Sequence, residues 1–354
     1  MRTKILWLWL LVVCSFSSLV GAQAEGTIYR VEAAHGLTAP AARLISRALT
    51  EATAADAQAL LIEISDGGAV MDVARPLARE AAAAHIPVVV WIGPRGTKGG
   101  AGGALLLTAA HIAAMAPGTS AGVAQPLVDV SSSFSATTQQ QVVDDFATTL
   151  RGWQLEHGRN ADWADRAARA GAIISSEEAQ AATPPVIDVV AADETELLQT
   201  LEGRIVKLGD GTSRQVRTLG ARVVTVDATA WEMVSQLLAL PTVAFLCLVL
   251  AALALGLELS APGVTVPGVG GVVLLIAALY GLWEAQVRPL AIIALLGGLV
   301  LLCAEPLVLA HGGLAAGGLV LLVVGALWLN DPSRNPGLAV APLALVGTVV
   351  VVGA

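Results

Sequence analysis

The last third of the chain is almost devoid of charged side chains, and this feature limits the fold more than any other. Residues 233–354 contain only six of them: Glu258, Glu284, Arg288, Glu305, Asp331 and Arg334. A stretch this apolar is stable in a lipid bilayer, where helices satisfy their own backbone hydrogen bonds. We therefore predict an all-α integral membrane domain over residues 240–354. The preceding residues, 25–232, have the charge density of a water-soluble domain.

The membrane domain is predicted to be multi-pass, with about five helices. Its apolar stretches each have about 15–18 residues, near the short end for a helix that crosses a bilayer. They cover residues 242–257, 268–283, 290–304, 312–329 and 338–353. Segments this short also fit a thin or tilted bundle, or a re-entrant pair. Glu258 and Glu305 lie at segment ends, where they are either functional acids or simple helix-end contacts.

The N-terminus has the composition of a secretory signal peptide. Arg2 and Lys4 precede an apolar run, and a small-x-small motif ends at Ala24. We predict cleavage before Glu25, which makes residues 1–24 the signal peptide. A positive N-terminus stays in the cytoplasm, so the soluble domain is predicted to be extracytoplasmic and anchored in the cell membrane.

Residues 25–232 alternate between strand and helix patterns. Strand runs occupy residues 27–31, 60–64, 87–92 and 112–116. Helical spacing covers residues 38–52, 71–85, 104–110 and 137–157. A Gly209-Asp210-Gly211 turn predicts a hairpin between residues 204–208 and 214–226. Alternating strands and helices imply right-handed crossovers and a parallel sheet, so the fold class of this domain is α/β.

Three polar residues are predicted to begin helices. Asn160 precedes a segment that carries Trp163. Ser175 and Asp193 each stand three residues before a glutamate, which is the spacing of a capping box.

Composition excludes several functional classes for the soluble domain. The net charge of the chain is −8 and no basic run occurs, so nucleic-acid binding is not supported. The three cysteines, Cys14, Cys247 and Cys303, lie outside this domain. It therefore has no disulfide, no thiol nucleophile and no cysteine metal site. We expect no cofactor.

A metal cluster is the weaker interpretation of five further residues, Asp129, Asp144, Asp145, His111 and His157. Their spacing fits no established metal motif. We expect them to lie on solvated faces and to bind no metal.

Four separate motifs follow one another along the chain. The most specific is the run from Ala109 to Thr119, AAHIAAMAPGT. The others are Asp66-Gly67-Gly68, Gly158-Arg159-Asn160 followed by Trp163, and Leu257-Glu258 followed by Pro262-Gly263 and Pro267-Gly268. Together these motifs resemble the long form of the NfeD family over about residues 25–335.

The resemblance implies a ClpP/crotonase-like serine-protease domain over residues 25–232, followed by the integral membrane domain. It also implies a stomatin- or flotillin-like membrane protein as partner. Peptide binding and homo-oligomer formation stay open. Long-form members often carry a C-terminal OB-type β-barrel; this chain ends before one, so the barrel is either absent or lost by truncation.

The resemblance further implies a Ser-Lys dyad, in which a desolvated, neutral lysine takes the proton of the serine. Counted back from His111, the serine position holds Ala101. Counted back from Gly158, the lysine position holds Gln141, to within one residue.

The absence of the serine and the lysine does not depend on how these positions are counted. No serine lies between Ser65 and Ser120, and no lysine lies between Lys98 and Lys207. A methyl group cannot attack a carbonyl, and a neutral amide is not a base near pH 7. We therefore predict a loss of activity of several orders of magnitude.

Two features of the sequence are still compatible with catalysis. Gly67 and Gly68 are predicted to form either an oxyanion-like backbone turn or only a tight connection. Lys98 could supply an amine from a nearby loop, and Ser120 or the serines at 131–133 could supply a hydroxyl.

These observations favour a degenerate protease domain that acts as a non-catalytic binding or assembly partner of a stomatin-like membrane protein. The alternative is an active membrane-bound serine endopeptidase with relocated catalytic residues. A third hypothesis is a small transporter or channel component that uses Glu258 or Glu305 in the membrane domain.

Overall fold

The computed structural model describes residues 26–123, 136–260, 266–308, 311–329 and 339–353. Several predicted features lie outside these residues. They are the signal peptide at residues 1–24, Asp129, the serines at 131–133 and the Pro262-Gly263 turn.

The N-terminal part of the chain alternates strands and helices. Its first elements are β1 (Thr27–Ala33), α1 (Ala39–Ala54), β2 (Ala59–Ile64), α2 (Met71–Ala82), β3 (Val88–Ile92), α3 (Gly100–Ala109) and β4 (Ile112–Met115). The next are β5 (Ser120–Val123), α4 (Ala136–Glu156), α5 (Ala161–Arg169), β6 (Ala172–Ser175), α6 (Ser176–Ala181) and β7 (Val189–Val190). The last are α7 (Glu194–Leu201), β8 (Ile205–Lys207), β9 (Ser213–Gln215), β10 (Arg222–Thr225) and α8 (Ala230–Leu238).

Six strands form one sheet in the order β10-β1-β2-β3-β4-β7. Every neighbouring pair in it is parallel, which confirms the predicted α/β class. Two antiparallel ribbons, β5 with β6 and β8 with β9, are separate from this sheet.

Both faces of the sheet are covered, as the apolar run of β2 requires. Leu60 and Ile62 pack into the larger core cluster, whereas Leu61 packs into a second cluster on the opposite face. Glu63 is the polar exception in this strand. It is buried, and its carboxylate accepts a hydrogen bond from Arg30 at 2.6 Å, which satisfies the charge.

The three predicted helix caps are confirmed. The side chain of Asn160 accepts the backbone N–H of Trp163 at 2.9 Å. Ser175 forms a complete capping box with Glu178, and Asp193 accepts an N–H from the first turn of α7.

The helix predicted at residues 104–110 is wrong in extent, because α3 begins at Gly100. Its glycines allow the first turn to lie directly against the backbone that follows β2, a contact that spacing rules for apolar residues do not reveal. The helix predicted at residues 71–85 likewise ends early, at Ala82.

The strand predicted at residues 214–226 is also wrong, because it divides into β9 and β10. The carboxylate of Glu202 accepts the N–H groups of Thr218 and Leu219 at 2.6 and 2.7 Å, and Gly220 takes a φ of +76°. These contacts turn the chain away from the hairpin. β10 then joins the edge of the main sheet, beside β1.

The described residues after α8 are mostly helical. Their helices are α9 (Pro241–Ser260), α10 (Val266–Glu284), α11 (Pro289–Ala304), α12 (Gly313–Trp328) and α13 (Pro342–Gly353). Among the described residues, two helices, α9 and α10, are long and apolar enough to cross a membrane. The other three are apolar but shorter; a helix of 16 residues, such as α11, is about 24 Å long against a hydrocarbon layer of about 30 Å.

Small residues and one acid organise the contact between α11 and α12. A Cβ atom at Gly298 or at Gly318 would lie 2.8 Å from the carbonyl oxygen of the other residue, so the two helices pack backbone to backbone. Glu305 accepts the N–H groups of Gly312 and Ala315 at 2.6 and 2.9 Å. Its carboxylate caps the start of α12, which favours the helix-end interpretation of this acid.

Candidate active site

The turn after β2 contains the predicted oxyanion residues. Asp66 Oδ1 accepts the N–H of Gly68 at 2.8 Å, and the carbonyl oxygen of Gly68 accepts the N–H of Leu37 at 2.7 Å. The Gly68 N–H is therefore engaged inside the turn rather than directed at a ligand. A role for Gly67 and Gly68 in binding an oxyanion stays a prediction, and the Gly68 N–H would have to leave Asp66 to take part in it.

The same turn is in direct backbone contact with the start of α3. A Cβ atom at Gly67 would lie 2.3 Å from the carbonyl oxygen of Lys98, and one at Gly100 would lie 2.3 Å from the carbonyl oxygen of Gly67. Gly100 also has a φ of +52°, which disfavours any side chain. Both positions require glycine for steric reasons, independently of any catalytic role.

Ala101, the predicted serine position, is completely buried in the first turn of α3. A Cβ atom at the neighbouring Gly102 would approach Leu37 and Ala69 to 3.0 and 3.2 Å, so little space surrounds this turn. Gln141, the predicted lysine position, is exposed on α4. Neither residue has a group that can act as nucleophile or base at these positions.

Lys98 and Ser120, the candidate replacement groups for the dyad, are neighbours in the structure. They form an isolated parallel β-bridge, in which the Gly99 N–H donates to the Ser120 carbonyl oxygen at 2.7 Å. Lys98 is exposed and Ser120 is half-buried. No hydrogen bond joins their side chains within the described part of the chain. A lysine acts as a base when burial strips water from its amine, and the exposed Lys98 lacks that environment.

The described members of the candidate metal cluster do not come together. Asp144 pairs with Arg169 and with Gln140, whereas His111 lies against His157. Within the described ranges, no three His, Cys, Asp or Glu side chains are arranged to hold a metal ion. Asp129 is outside those ranges.

Comparison with known proteins identifies a family domain in the C-terminal third of the chain and similar proteins over most of its length. A family model described as the NfeD integral membrane domain matches residues 242–354. The membrane-bound protease PH1510 of Pyrococcus horikoshii is 26% identical over 310 residues, which are 86% of this chain and 69% of that protein. The membrane protein NfeD1b of Bacillus subtilis is 28% identical over 280 residues, 75% of this chain and 59% of that protein. The chain thus carries an NfeD integral membrane domain at residues 242–354 and resembles NfeD-type proteins over most of its length. It is accordingly a membrane protein.

Solved structures resemble the soluble part of this chain. One is the 1510-N membrane-bound stomatin-specific protease with a serine replaced by alanine; it is 26% identical with a TM-score of 0.51, over 58% of this chain and 100% of that one. Another is a lysine-to-alanine mutant of the same protease in complex with a substrate peptide; it is 24% identical with a TM-score of 0.52, over 60% of this chain and 97% of that one. The parallel-sheet domain therefore has the ClpP-like fold that the sequence motifs imply.

Arg159 of the Gly-Arg-Asn motif has a role that spacing alone does not reveal. Its guanidinium is buried and donates to the carbonyl oxygens of Leu107 at 2.8 Å and of Ala110, at the end of α3. Asp188 lies 3.5 Å away and opposes the effect of burial, which lowers the pKa of this arginine. Arg159 therefore fixes the carboxyl end of the helix whose amino end carries Ala101.

His111 and His157 form a second feature, on the amino edge of the sheet and away from Ala101. The prediction that they lie on solvated faces is wrong for His111, which is buried. Their rings meet edge to face at 5.7 Å, and His111 Nδ1 accepts the N–H of Val88 at 3.1 Å. Burial lowers the pKa of His111 to about 4 and that of His157 to about 3, and the charge of Arg159 acts in the same direction. Cavities of about 330 and 290 Å³ adjoin both rings.

Proposed function

We propose that this chain is a non-catalytic membrane protein whose ClpP-like domain binds a segment of a stomatin-like membrane protein. Ala101 carries this proposal. A fully buried methyl group occupies the helix start where the resemblance requires a serine, and the nearest lysine along the chain, Lys98, is exposed. The domain keeps a packed core, while the described residues at these positions offer neither a nucleophile nor a desolvated base.

The solved relatives support binding as the retained function. One of them is named as specific for stomatin, and its lysine-to-alanine mutant holds a substrate peptide. Peptide binding on this fold therefore does not require the amine of that lysine. We propose that this chain likewise binds a peptide without cleaving it.

The proposed topology follows from the sequence. Residues 1–24 act as a signal peptide, residues 25–232 lie outside the cytoplasm and residues 240–354 cross the cell membrane several times. Alkaline phosphatase fused after residue 228 should be active, because the enzyme folds only outside the cytoplasm. An inactive phosphatase fusion, together with a fluorescent fusion of green fluorescent protein at the same residue, would show that the domain lies in the cytoplasm and refute this orientation.

A binding and cleavage assay tests the proposed function. The full chain in lipid nanodiscs is mixed with fluorescent peptides that tile the sequence of a stomatin-like protein, and binding is followed by anisotropy. Mass spectrometry of the same samples detects cleavage. We expect at least one peptide to bind and stay intact, whereas its scrambled version does not bind.

Cleavage of the bound peptide would refute the non-catalytic assignment if Ser120→Ala abolished it. Ser46→Ala is the matched control, since Ser46 lies on α1, where its hydroxyl donates to Glu80. Absence of binding by every peptide would refute the binding assignment.

The bridge between Lys98 and Ser120 supports one second candidate, an active serine endopeptidase with relocated residues. This activity requires the Ser120 hydroxyl to become a nucleophile and the Lys98 amine to approach it without water. A fluorophosphonate probe should then label Ser120, and Lys98→Met should abolish the labelling. No labelling of the full chain at saturating probe would exclude this candidate.

A further inference from the structure

The distribution of polar and apolar residues on helix α8 is the reverse of that on a surface helix of a water-soluble domain. Its large apolar residues face outward: Trp231 and Met233 are each 63% exposed, Leu237 is 51% exposed and Val234 is 47% exposed. Its polar residues face the protein, where Ser235 and Gln236 are buried. A helix in contact with water would show the opposite distribution.

The two kinds of residue separate cleanly around the helix axis. At about 100° per residue, the four exposed apolar side chains fall within one arc of about 160°. Glu232, Ser235 and Gln236 fall on the other side. The outward face is therefore one continuous apolar strip rather than scattered exposed residues.

Specific contacts fix this orientation of α8. Arg47 on α1 donates to both carboxylate oxygens of Glu232, at 3.2 and 2.8 Å. The hydroxyl of Tyr280 on α10 donates to Ser235 Oγ at 3.1 Å. Because polar residues of α8 are held by the soluble domain and by a membrane helix, the apolar strip cannot rotate inward without breaking these contacts.

The position of α8 in the chain identifies what covers the strip. α8 ends at Leu238, and the membrane-crossing helix α9 begins at Pro241. The aromatic rings of Trp231 and Tyr280 are 5.5 Å apart, near the end of α10. Trp and Tyr concentrate at the boundary between hydrocarbon and headgroups, where amphipathic helices also lie.

The end of α10 marks the same boundary. Trp283 is 81% exposed, whereas the next residue, Glu284, pairs with Arg43 of the soluble domain. The apolar side chain of Trp283 is therefore compatible with contact to lipid, whereas the charged side chain of Glu284 requires protein or water. The apolar strip of α8 lies at this transition.

We propose that the outward face of α8 is a lipid-binding surface, inserted in the interfacial layer of the bilayer, which holds the soluble domain against the membrane. The strip then leaves water on insertion, and its polar side keeps the contacts with Arg47 and Tyr280. Insertion of this helix is independent of whether the ClpP-like domain binds or cleaves peptides.

Depth-dependent quenching tests this proposal. Val234→Cys, in the full chain with Cys14, Cys247 and Cys303 replaced by serine, is labelled with an environment-sensitive fluorophore. The protein is reconstituted in vesicles of phosphatidylcholine and phosphatidylglycerol. We expect blue-shifted emission and at least twofold stronger quenching by a nitroxide high on the acyl chain than by aqueous iodide.

Ile205→Cys is the matched control, since Ile205 is a 75% exposed apolar residue on β8 of the soluble domain. Its label should respond to iodide and not to the lipid nitroxide. Equal iodide quenching at both sites would overturn the proposal. Shielding at position 234 that disappears on dilution of the protein in lipid would also overturn it, because a second copy of the chain would then cover the strip. The thermal unfolding midpoint of each variant confirms that it is folded.

Discussion

The guanidinium of Arg159 lies inside the protein and donates to the carbonyl oxygen of Leu107 at 2.8 Å. This contact links the loop before α5 to the last turn of α3, where unpaired carbonyl groups and the helix dipole favour a cation. The Gly-Arg-Asn motif therefore has a structural role, in which its arginine holds the end of α3.

Replacement of this arginine should destabilise the soluble domain strongly. Arg159→Met removes at least two buried hydrogen bonds and the ion pair with Asp188, a loss of about 3–5 kcal/mol. The thermal midpoint of the full chain in detergent, followed by tryptophan fluorescence, should fall by at least about 6 °C. Arg166→Met on the exposed face of the same region should change it little. Equal midpoints for the two variants would contradict the role of Arg159.

The glycine at the start of α3 should be irreplaceable for steric reasons. Gly100→Ala adds a Cβ atom 2.3 Å from the carbonyl oxygen of Gly67, at a φ of +52°. Gly96 has a φ of +85° with nothing within 4 Å, so Gly96→Ala should cost only about 1–2 kcal/mol of backbone strain. We expect Gly100→Ala to lower the unfolding midpoint markedly more than Gly96→Ala. Similar shifts would show that the turn yields easily.

Asn160 should stabilise its loop through both atoms of its amide. Oδ1 accepts the N–H of Trp163, and Nδ2 donates to the carbonyl oxygen of Pro184 at 2.9 Å. Asn160→Ala should cost about 1–2 kcal/mol in unfolding measurements. Asn160→Asp keeps the acceptor and should recover most of this loss. If aspartate were as damaging as alanine, the bond to Pro184 rather than the cap would be the important one.

Acid should weaken the fold through His111. A histidine of an unfolded chain titrates near pH 6.5, whereas folded His111 has a pKa of about 4. As the pH falls, the unfolded state therefore binds this proton first, and stability drops between about pH 6.5 and pH 4. At pH 5 the loss is on the order of 2 kcal/mol.

His111→Asn isolates this effect, because an amide oxygen can still accept the Val88 N–H. Unfolding midpoints of parent and variant between pH 7.5 and pH 5 should converge as the pH falls. His85→Asn is the control, since that imidazole is 68% exposed beside Asp210. Parallel curves for the parent and His111→Asn would rule out buried His111 as the source of acid sensitivity.

Features that depend on neighbouring residues were predictable from sequence. The run Leu60 to Ile64 is a strand because it is apolar throughout and bounded by turn residues. Ser175 caps a helix because its hydroxyl needs only the N–H three residues later. Both rely on local geometry, which the order of residues encodes directly.

Features that depend on distant contacts were not predictable. The start of α3 at Gly100 follows from its fit against Gly67, and β10 joins β1 across nearly the whole soluble domain. The bridge between Lys98 and Ser120 likewise exists only because a turn returns the chain to the start of α3. The periodicity of apolar residues does not predict such contacts, because it indicates which residues are buried and not which residues they pack against.

The edge position of β10 has a mechanical consequence. This strand is the last of the sheet before the chain enters α8 and the membrane helices, and it pairs in parallel with β1 over Thr27↔Arg222 to Arg30↔Thr225. A pull from the bilayer along β10 loads all of these backbone bonds at once, in shear, instead of opening them one after another. The sheet can thus transmit force between lipid and the ClpP-like domain without fraying at its edge.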